Sequence, residues 1–124
     1  MTYLTVEQVL LIHSMVIDET GGLHGLRDRA RLLSAVESPK TGGFGREFYP
    51  SPFEKAAVYA RGIILDHPFL DGNKRTGMTA AFIFLENNSW EATAKRGEIE
   101  AMALTIATKK PELAIIAAWL KKHV

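Results

Sequence analysis

The sequence predicts an all-α fold: six helices in a single domain spanning residues 1–124. Three observations carry that expectation. The stretches Ala56–Leu65 and Met78–Leu85 are apolar on nearly every side, as central helices are. The other candidate helices repeat apolar residues on one face and are punctuated by capping residues, glycine or proline. Finally, 124 residues without repeats, low-complexity tracts or linkers leave room for one domain with a core of its own.

Composition excludes several function classes. With no cysteine there is no disulfide framework, thiolate nucleophile or cysteine-based zinc site. A formal charge of +1 provides no general field for DNA or anionic membranes. Met1-Thr2-Tyr3-Leu4 lacks the basic start of a targeting segment, and the longest apolar runs are too short to span a bilayer. The expectation is a soluble cytoplasmic domain with no direct nucleic-acid or membrane partner.

The first helix is expected over roughly Thr5–Glu19. Thr5-Val6-Glu7-Gln8 reads as a capping box with Leu4 placed for a staple, and Val6, Val9, Leu10, His13 and Ile17 recur at helical spacing. His13 lies on or beside the buried face and reads as a packed residue. Thr20–Leu26 is rich in glycine and cannot continue the helix, so it forms a loop. Asp28 caps a second helix of about Arg29–Glu37, whose apolar face is Leu32, Leu33 and Val36 and whose end precedes Pro39. Arg27, Arg29 and Arg31 have the chemistry to hold a phosphate or an acidic partner. Arg29 and Arg31 read as solvated, whereas Gly22, Arg27 and Asp28 are candidates for contact with a substrate or partner.

Lys40–Pro50 has no period. Its glycines make it mobile and Phe44, Phe48 and Tyr49 give it something to clamp with, which suits a flap over a site; an irregular loop with its aromatics tucked into the core fits equally well. Ser51-Pro52-Phe53-Glu54 is a complete helix start. The third helix runs to about Leu65, with Gly62 permitting close helix contact, and the fourth covers Asn73–Leu85. Trp90–Ala94 is a short connector, extended in the simplest reading, with Trp90 as a packing residue. A fifth helix of roughly Gly97–Thr108 carries Ile99, Met102, Ala103 and Ile106, and Lys109-Lys110-Pro111 breaks it. A sixth, from Pro111 to about Lys122, turns Leu113, Ile116, Ala117 and Leu120 inward.

Chemistry concentrates in the loop joining the two central helices, Asp66-His67-Pro68-Phe69-Leu70-Asp71-Gly72-Asn73-Lys74-Arg75-Thr76-Gly77. Pro68 keeps its neighbour out of helix, Gly72 frees the bend, and the following helix begins with its unpaired N–H groups facing the loop, which is an anion cradle. Lys74 and Arg75 oppose the helix dipole there, a penalty that a bound phosphate reverses. Asp71 is an oxygen ligand of the kind Mg²⁺ takes together with phosphates. His67 has the ordinary pKa best suited to a general base near neutrality. Each residue alone also reads as an ordinary cap, turn or solvated charge. Jointly they describe phosphoryl-group chemistry with a nucleotide.

His67-Pro68-Phe69-Leu70-Asp71-Gly72-Asn73-Lys74-Arg75-Thr76 resembles the signature of the Fic/Doc superfamily, and in detail its Doc branch, the death-on-curing toxins of bacterial and phage toxin–antitoxin pairs. Gly21-Gly22-Leu23, Gly25, Arg27-Asp28, Leu32-Leu33, Ser34-Ala35 and Pro39 also resemble the Doc pattern, so the likeness covers essentially the whole chain. It implies that His67 is the base that takes the proton of the target hydroxyl, that Asp71 binds the metal on the nucleotide phosphates, and that Phe69 is the buried anchor of the loop. It assigns the phosphates to the helix start, Gly72, Asn73, Lys74, Arg75 and Thr76.

Two departures from the wider Fic pattern bear on the reaction. Fic adenylyltransferases resemble this chain except that glycine stands at Lys74 and a second arginine at Met78. In Doc toxins the lysine goes with an inverted nucleotide, whose γ-phosphate meets the acceptor. The resemblance thus implies a protein kinase that uses ATP and Mg²⁺ to phosphorylate a threonine of translation elongation factor Tu and stop translation. AMP transfer and a purely binding module are the alternatives. Some Fic proteins carry an inhibitory helix of the form Ser/Thr-x-x-x-Glu-Gly/Asn. Thr108 and Glu112 have that spacing, but Leu113 and Pro111 break the pattern, so the chain is expected to need a separate Phd-type antitoxin. The first helix and Gly21–Arg31 are the expected docking region, and the free protein is expected to be a monomer.

Overall fold

A computed structural model describes residues 1–124. Six helices follow in order: α1 (Val6–Thr20), α2 (Arg29–Glu37), α3 (Pro52–Asp66), α4 (Asn73–Asn87), α5 (Arg96–Lys109) and α6 (Leu113–Lys121). A 3₁₀ turn, Ser38–Lys40, and a minimal hairpin, β1 (Gly42–Gly43) and β2 (Arg46–Glu47), lie between α2 and α3. The protein is all-α, as its pattern of apolar residues requires. No helix is long and apolar enough to cross a membrane.

The helix starts follow local sequence. Thr5 accepts the Gln8 N–H at 3.1 Å while the Gln8 side chain accepts the Thr5 N–H at 2.8 Å, closing the capping box of α1. Asp28 caps α2 through the Arg31 N–H, and Ser51 caps α3 through the Glu54 N–H, with Pro52 opening the helix. Later boundaries shift. α4 runs on to Asn87, and α5 is one residue longer at each end than its sequence pattern suggests. α6 begins at Leu113 instead of Pro111, because Lys110 is left-handed and Glu112 extended. Trp90–Ala94 forms no strand; the Thr93 N–H donates to the His123 carbonyl at 2.7 Å, tying this connector to the C-terminus. Trp90 packs edge-on against Phe53 at 4.9 Å between ring centroids and is otherwise open to solvent.

The core is one contiguous apolar cluster to which all six helices contribute, with α3 and α4 at its centre. Tyr59, Ile63 and Ile64 of α3 meet Met78, Phe84 and Leu85 of α4, all fully buried. Their close approach depends on Gly77, where a Cβ would lie 2.9 Å from the Ala60 carbonyl oxygen and 2.8 Å from Ile64 Cγ1. Gly62 is less constrained, since a Cβ there would meet Ala35 Cβ at an ordinary 3.5 Å. The Tyr59 hydroxyl accepts the buried Leu4 N–H at 3.0 Å, pinning the N-terminus to α3. Burial pushes its pKa up to about 12.

The region expected to be a mobile loop pairs as a hairpin, Gly42 opposite Glu47 and Gly43 opposite Arg46. Phe44 and Gly45 at its tip both have positive φ, 54° and 75°, the requirement of a two-residue turn that follows strand twist. A Cβ on Gly42 would fall 2.3 Å from the Arg46 carbonyl oxygen, so only glycine fits there. Phe44 is fully exposed and Phe48 largely so, which rules out the reading with those aromatics tucked into the core; Tyr49 is half-buried. The hairpin base is held by Lys55 of α3, only 1% exposed, whose Nζ donates to Glu47 Oε1 at 2.9 Å and to the Tyr49 carbonyl at 2.6 Å. Burial opposes the Lys55 charge, but its bond to Glu47 and the neighbouring Tyr3 outweigh that and raise its pKa.

Replacing Tyr59 by Phe keeps the ring packing but leaves the buried Leu4 N–H without an acceptor. Urea unfolding should show a loss of about 1–3 kcal/mol, and an unchanged stability would remove the hydroxyl from the account of the N-terminus.

Candidate active site: the loop between the two central helices

The loop begins where α3 ends. His67 is the C-cap of α3 in a left-handed conformation, φ 49° and ψ 59°. A helix end leaves carbonyls without partners and a partial negative charge. Here Arg27 meets both demands, with Nε donating to the His67 carbonyl at 2.7 Å and Nη2 to the Asp66 carbonyl at 2.9 Å. Arg31 adds a third bond, Nη1 to the Asp66 carbonyl at 2.9 Å. Two expectations change here. Arg31 is not merely solvated, and Arg27 and Arg31 hold backbone oxygens of the loop instead of a phosphate. Arg29 stays exposed.

The backbone of the glycine-rich segment then pairs with the loop. The Pro68 carbonyl accepts the N–H groups of Arg27 at 2.7 Å and Asp28 at 3.0 Å, and the Leu70 N–H donates to the Gly25 carbonyl at 3.1 Å. Gly25, at φ 139°, has a backbone conformation that a side chain strains, and its Cβ would fall 2.7 Å from Leu70 Cδ1, which would have to shift. Gly72 turns the chain into α4 at φ 76°, with a hypothetical Cβ 2.8 Å from Ile17 Cδ1.

Below the loop Phe69 is buried and stacks on His13, ring centroids 3.8 Å apart and planes 4° from parallel. His13 Nε2 donates to the Asp71 carbonyl at 2.8 Å, so the ring is a structural support for the metal-ligand candidate above it. Sequence reading gave His13 no role. The only signal was a polar ring on an apolar helix face, which must find a partner. Burial is the main cause that lowers the His13 pKa, partly offset by the bond to Asp71.

Asp71 itself is exposed. Its Oδ2 accepts the Leu23 N–H at 3.0 Å, and Gly22 passes so close that a Cβ would sit 3.3 Å from the same oxygen. No cluster of three or more His, Asp or Glu side chains stands ready for a metal. A divalent ion would therefore be held by Asp71 and by the phosphates it accompanies, the arrangement Mg²⁺ favours, so the residues present fit that ion.

α4 begins without a side-chain cap, which leaves the N–H groups of its first turn for whatever binds there. Asn73 is buried with its carboxamide closed onto the loop, Oδ1 accepting the Phe69 N–H at 3.0 Å and Nδ2 donating to the Phe69 carbonyl at 2.9 Å. The side chain thus clamps the loop, and its offering to an anion is its backbone. Thr76 is fully buried, its hydroxyl finds no partner, and it does not line the neighbouring cleft, so the expectation that it touches phosphate gives way. Lys74 is exposed and Arg75 half-buried. Both line a cleft of about 610 Å³ between the end of α1, the start of α4 and α5. His67 and Asp71 stand outside its walls, on the loop leading to it. Phe44 and Tyr49 belong to the hairpin and its exit.

An imidazole on an anchored helix end, a lone accessible carboxylate and an uncapped cationic helix start form the arrangement to be compared with known proteins. The Fic/DOC family model matches residues 3–85. The chain belongs to the Fic/DOC family. It is 34% identical over 120 residues to Toxin Doc of Mycolicibacterium smegmatis, an alignment covering 95% of this chain and 90% of that one. It is also 31% identical over 88 residues to Protein kinase doc of Escherichia phage P1, covering 71% of this chain and 69% of that one. The Fic/DOC match thus contains α1 to α3, α4 as far as Leu85, the whole loop and its supports.

The depressed pKa of His13 has a measurable sign. The unfolded chain takes up a proton near pH 6.5 that the folded state resists, so the stabilisation is present above pH 6.5 and lost as pH falls below it. Unfolding of the wild type followed from pH 7 to 5 should show this loss, and His13→Gln should flatten the dependence; an equal slope in the variant would count against a buried neutral ring.

Proposed function

We propose that this Fic/DOC protein is the toxin of a toxin–antitoxin pair and transfers the γ-phosphate of ATP to a threonine hydroxyl of translation elongation factor Tu. The observation that carries the proposal is the loop itself, in which exposed His67 is fixed at the end of α3 just before an uncapped α4 bearing Lys74 and Arg75. The printed names of the two relatives, a toxin and a protein kinase, support it.

In this reading His67 accepts the proton of the target hydroxyl as its oxygen bonds to the γ-phosphorus and ADP leaves. Asp71 would hold Mg²⁺ on the phosphates, and the ion would supply neutralisation of their charge there. The backbone N–H groups from Gly72 to Arg75 and the Lys74 and Arg75 side chains take the phosphate oxygens. Arg27 and Arg31 hold the backbone from which His67 projects, by their bonds to the Asp66 and His67 carbonyls. Transfer of the terminal phosphate is favoured over AMP transfer by two features. Lys74 puts a charged side chain where a glycine would leave space, and Met78 is fully buried, so its position offers the cleft no cation. The hairpin contacts the target in this scheme, with Phe44 at its exposed tip and Tyr49 at its base. A Phd-type antitoxin folds onto α1 and the segment that follows, where Leu11, Met15 and Leu23 are largely exposed apolar side chains.

Intact mass spectrometry of elongation factor Tu after incubation with the protein, ATP and Mg²⁺ tests this. The expected result is a gain of one phosphate with the wild type and at least a 10³-fold lower rate with His67→Ala, an estimate of about the usual contribution of a general base. A gain of one AMP would overturn the assignment of Lys74, and no gain from folded wild-type protein would overturn the target.

A further inference from the structure

The cleft at the start of α4 has a second wall that the scheme above leaves idle. α5 lines it with Arg96, Ile99, Glu100 and Leu104, facing Lys74 and Arg75. One oxygen there, Glu100 Oε1, accepts from two guanidinium groups: Arg75 Nη2 at 2.9 Å and Arg96 Nε at 3.1 Å. Guanidinium groups bind planar carboxylates and phosphates by the same forked donors, so a carboxylate shared by two arginines in a cleft marks a position an oxyanion can take. The tie is a weak one, because Arg96 is 74% exposed and Glu100 51%, and solvent screens such pairs. It is therefore displaceable by a ligand that carries more charge.

We infer that Arg96 is a second phosphate-binding side chain, contributed by α5 beside Arg75, and that Glu100 holds both arginines in the free protein where a phosphate group holds them in the complex. The inference rests on the reading of the α4 start as the nucleotide site. The charges around the cleft agree with it: the cations Lys74, Arg75 and Arg96 face the anions Glu19 and Glu100, so displacing Glu100 from the arginines matches the cleft to a polyanion. It also accounts for Arg75 being held toward α5, across 25 positions of sequence.

Calorimetric titration of the full chain with ADP and Mg²⁺ tests this without any protein target. Arg96→Ala should weaken ADP binding on the order of 5- to 20-fold, as loss of a charge-assisted contact does, and Arg96→Lys should recover part of it. Glu100→Gln should tighten binding on the order of 3- to 10-fold. Arg96→Ala removes one of the two pairs at Glu100 and Glu100→Gln weakens both, so a merely structural link would move both variants in one direction, and opposite signs separate a role in binding from it. Both side chains are largely exposed, and a matching unfolding midpoint for each variant confirms that the fold is intact. If Arg75→Ala weakens binding while Arg96→Ala stays within about twofold of wild type, or Glu100→Gln fails to tighten it, the role given to α5 is overturned and the nucleotide site stands. Absence of ADP binding by the wild type would overturn both.

Discussion

The contact of Arg27 with the end of α3 is the constraint on which the rest of the site depends. A helix that stops at a left-handed non-glycine residue has two costs, strained backbone and unpaired carbonyls. Arg27 answers the second by donating to the carbonyls of both Asp66 and His67, and its own backbone N–H binds the Pro68 carbonyl. Side chain and main chain of one residue therefore grip three successive residues of the loop. The glycines before it follow from this grip, since the segment lies against Leu70 and Asp71 with positive φ at Gly22 and Gly25 and close approaches that crowd a Cβ at either.

From that anchor the loop is held on every side by different kinds of force. Asn73 closes it across its own span, His13 supports Asp71 from α1, and Phe69 fills the space between with an apolar ring. The result is a short chain segment with few free torsions between two helices that are themselves rigid through the Gly77 contact. Helix polarity is used twice within it. The negative end of α3 is matched by two arginines, while the positive end of α4 carries two further cations and no cap. The second arrangement is unfavourable alone, and Glu100 offsets part of it in the free protein.

The hairpin shows a different division of labour. Its base is tied to the core through the buried Lys55 ammonium, a group that is tolerated at that depth because Glu47 and the Tyr49 carbonyl satisfy it. Its tip projects Phe44 entirely into solvent. A segment firm at its root and apolar at its end is suited to meeting another molecule without losing much conformational freedom in doing so.

Local chemistry is what the amino-acid sequence determined unaided. Helix periodicity, the caps Thr5, Asp28 and Ser51, and the reactive groups from His67 to Arg75 all lie within a turn or a short loop of the residues they act on, so spacing along the chain reports them. What only the tertiary structure decided joins distant positions. His13 meets Asp71 across 58 residues, Arg27 meets His67 across 40, and Glu100 meets Arg75 across 25. Lys55 as a buried anchor, Gly77 instead of Gly62 as the close approach, the inward turn of the Asn73 side chain and the burial of Thr76 belong to the same class. Each depends on which face of a helix is covered and by what, and periodicity names a face without naming its neighbour. The candidate residues for chemistry therefore stood together in the chain, whereas the residues that hold their backbone in position became visible only when the helices packed.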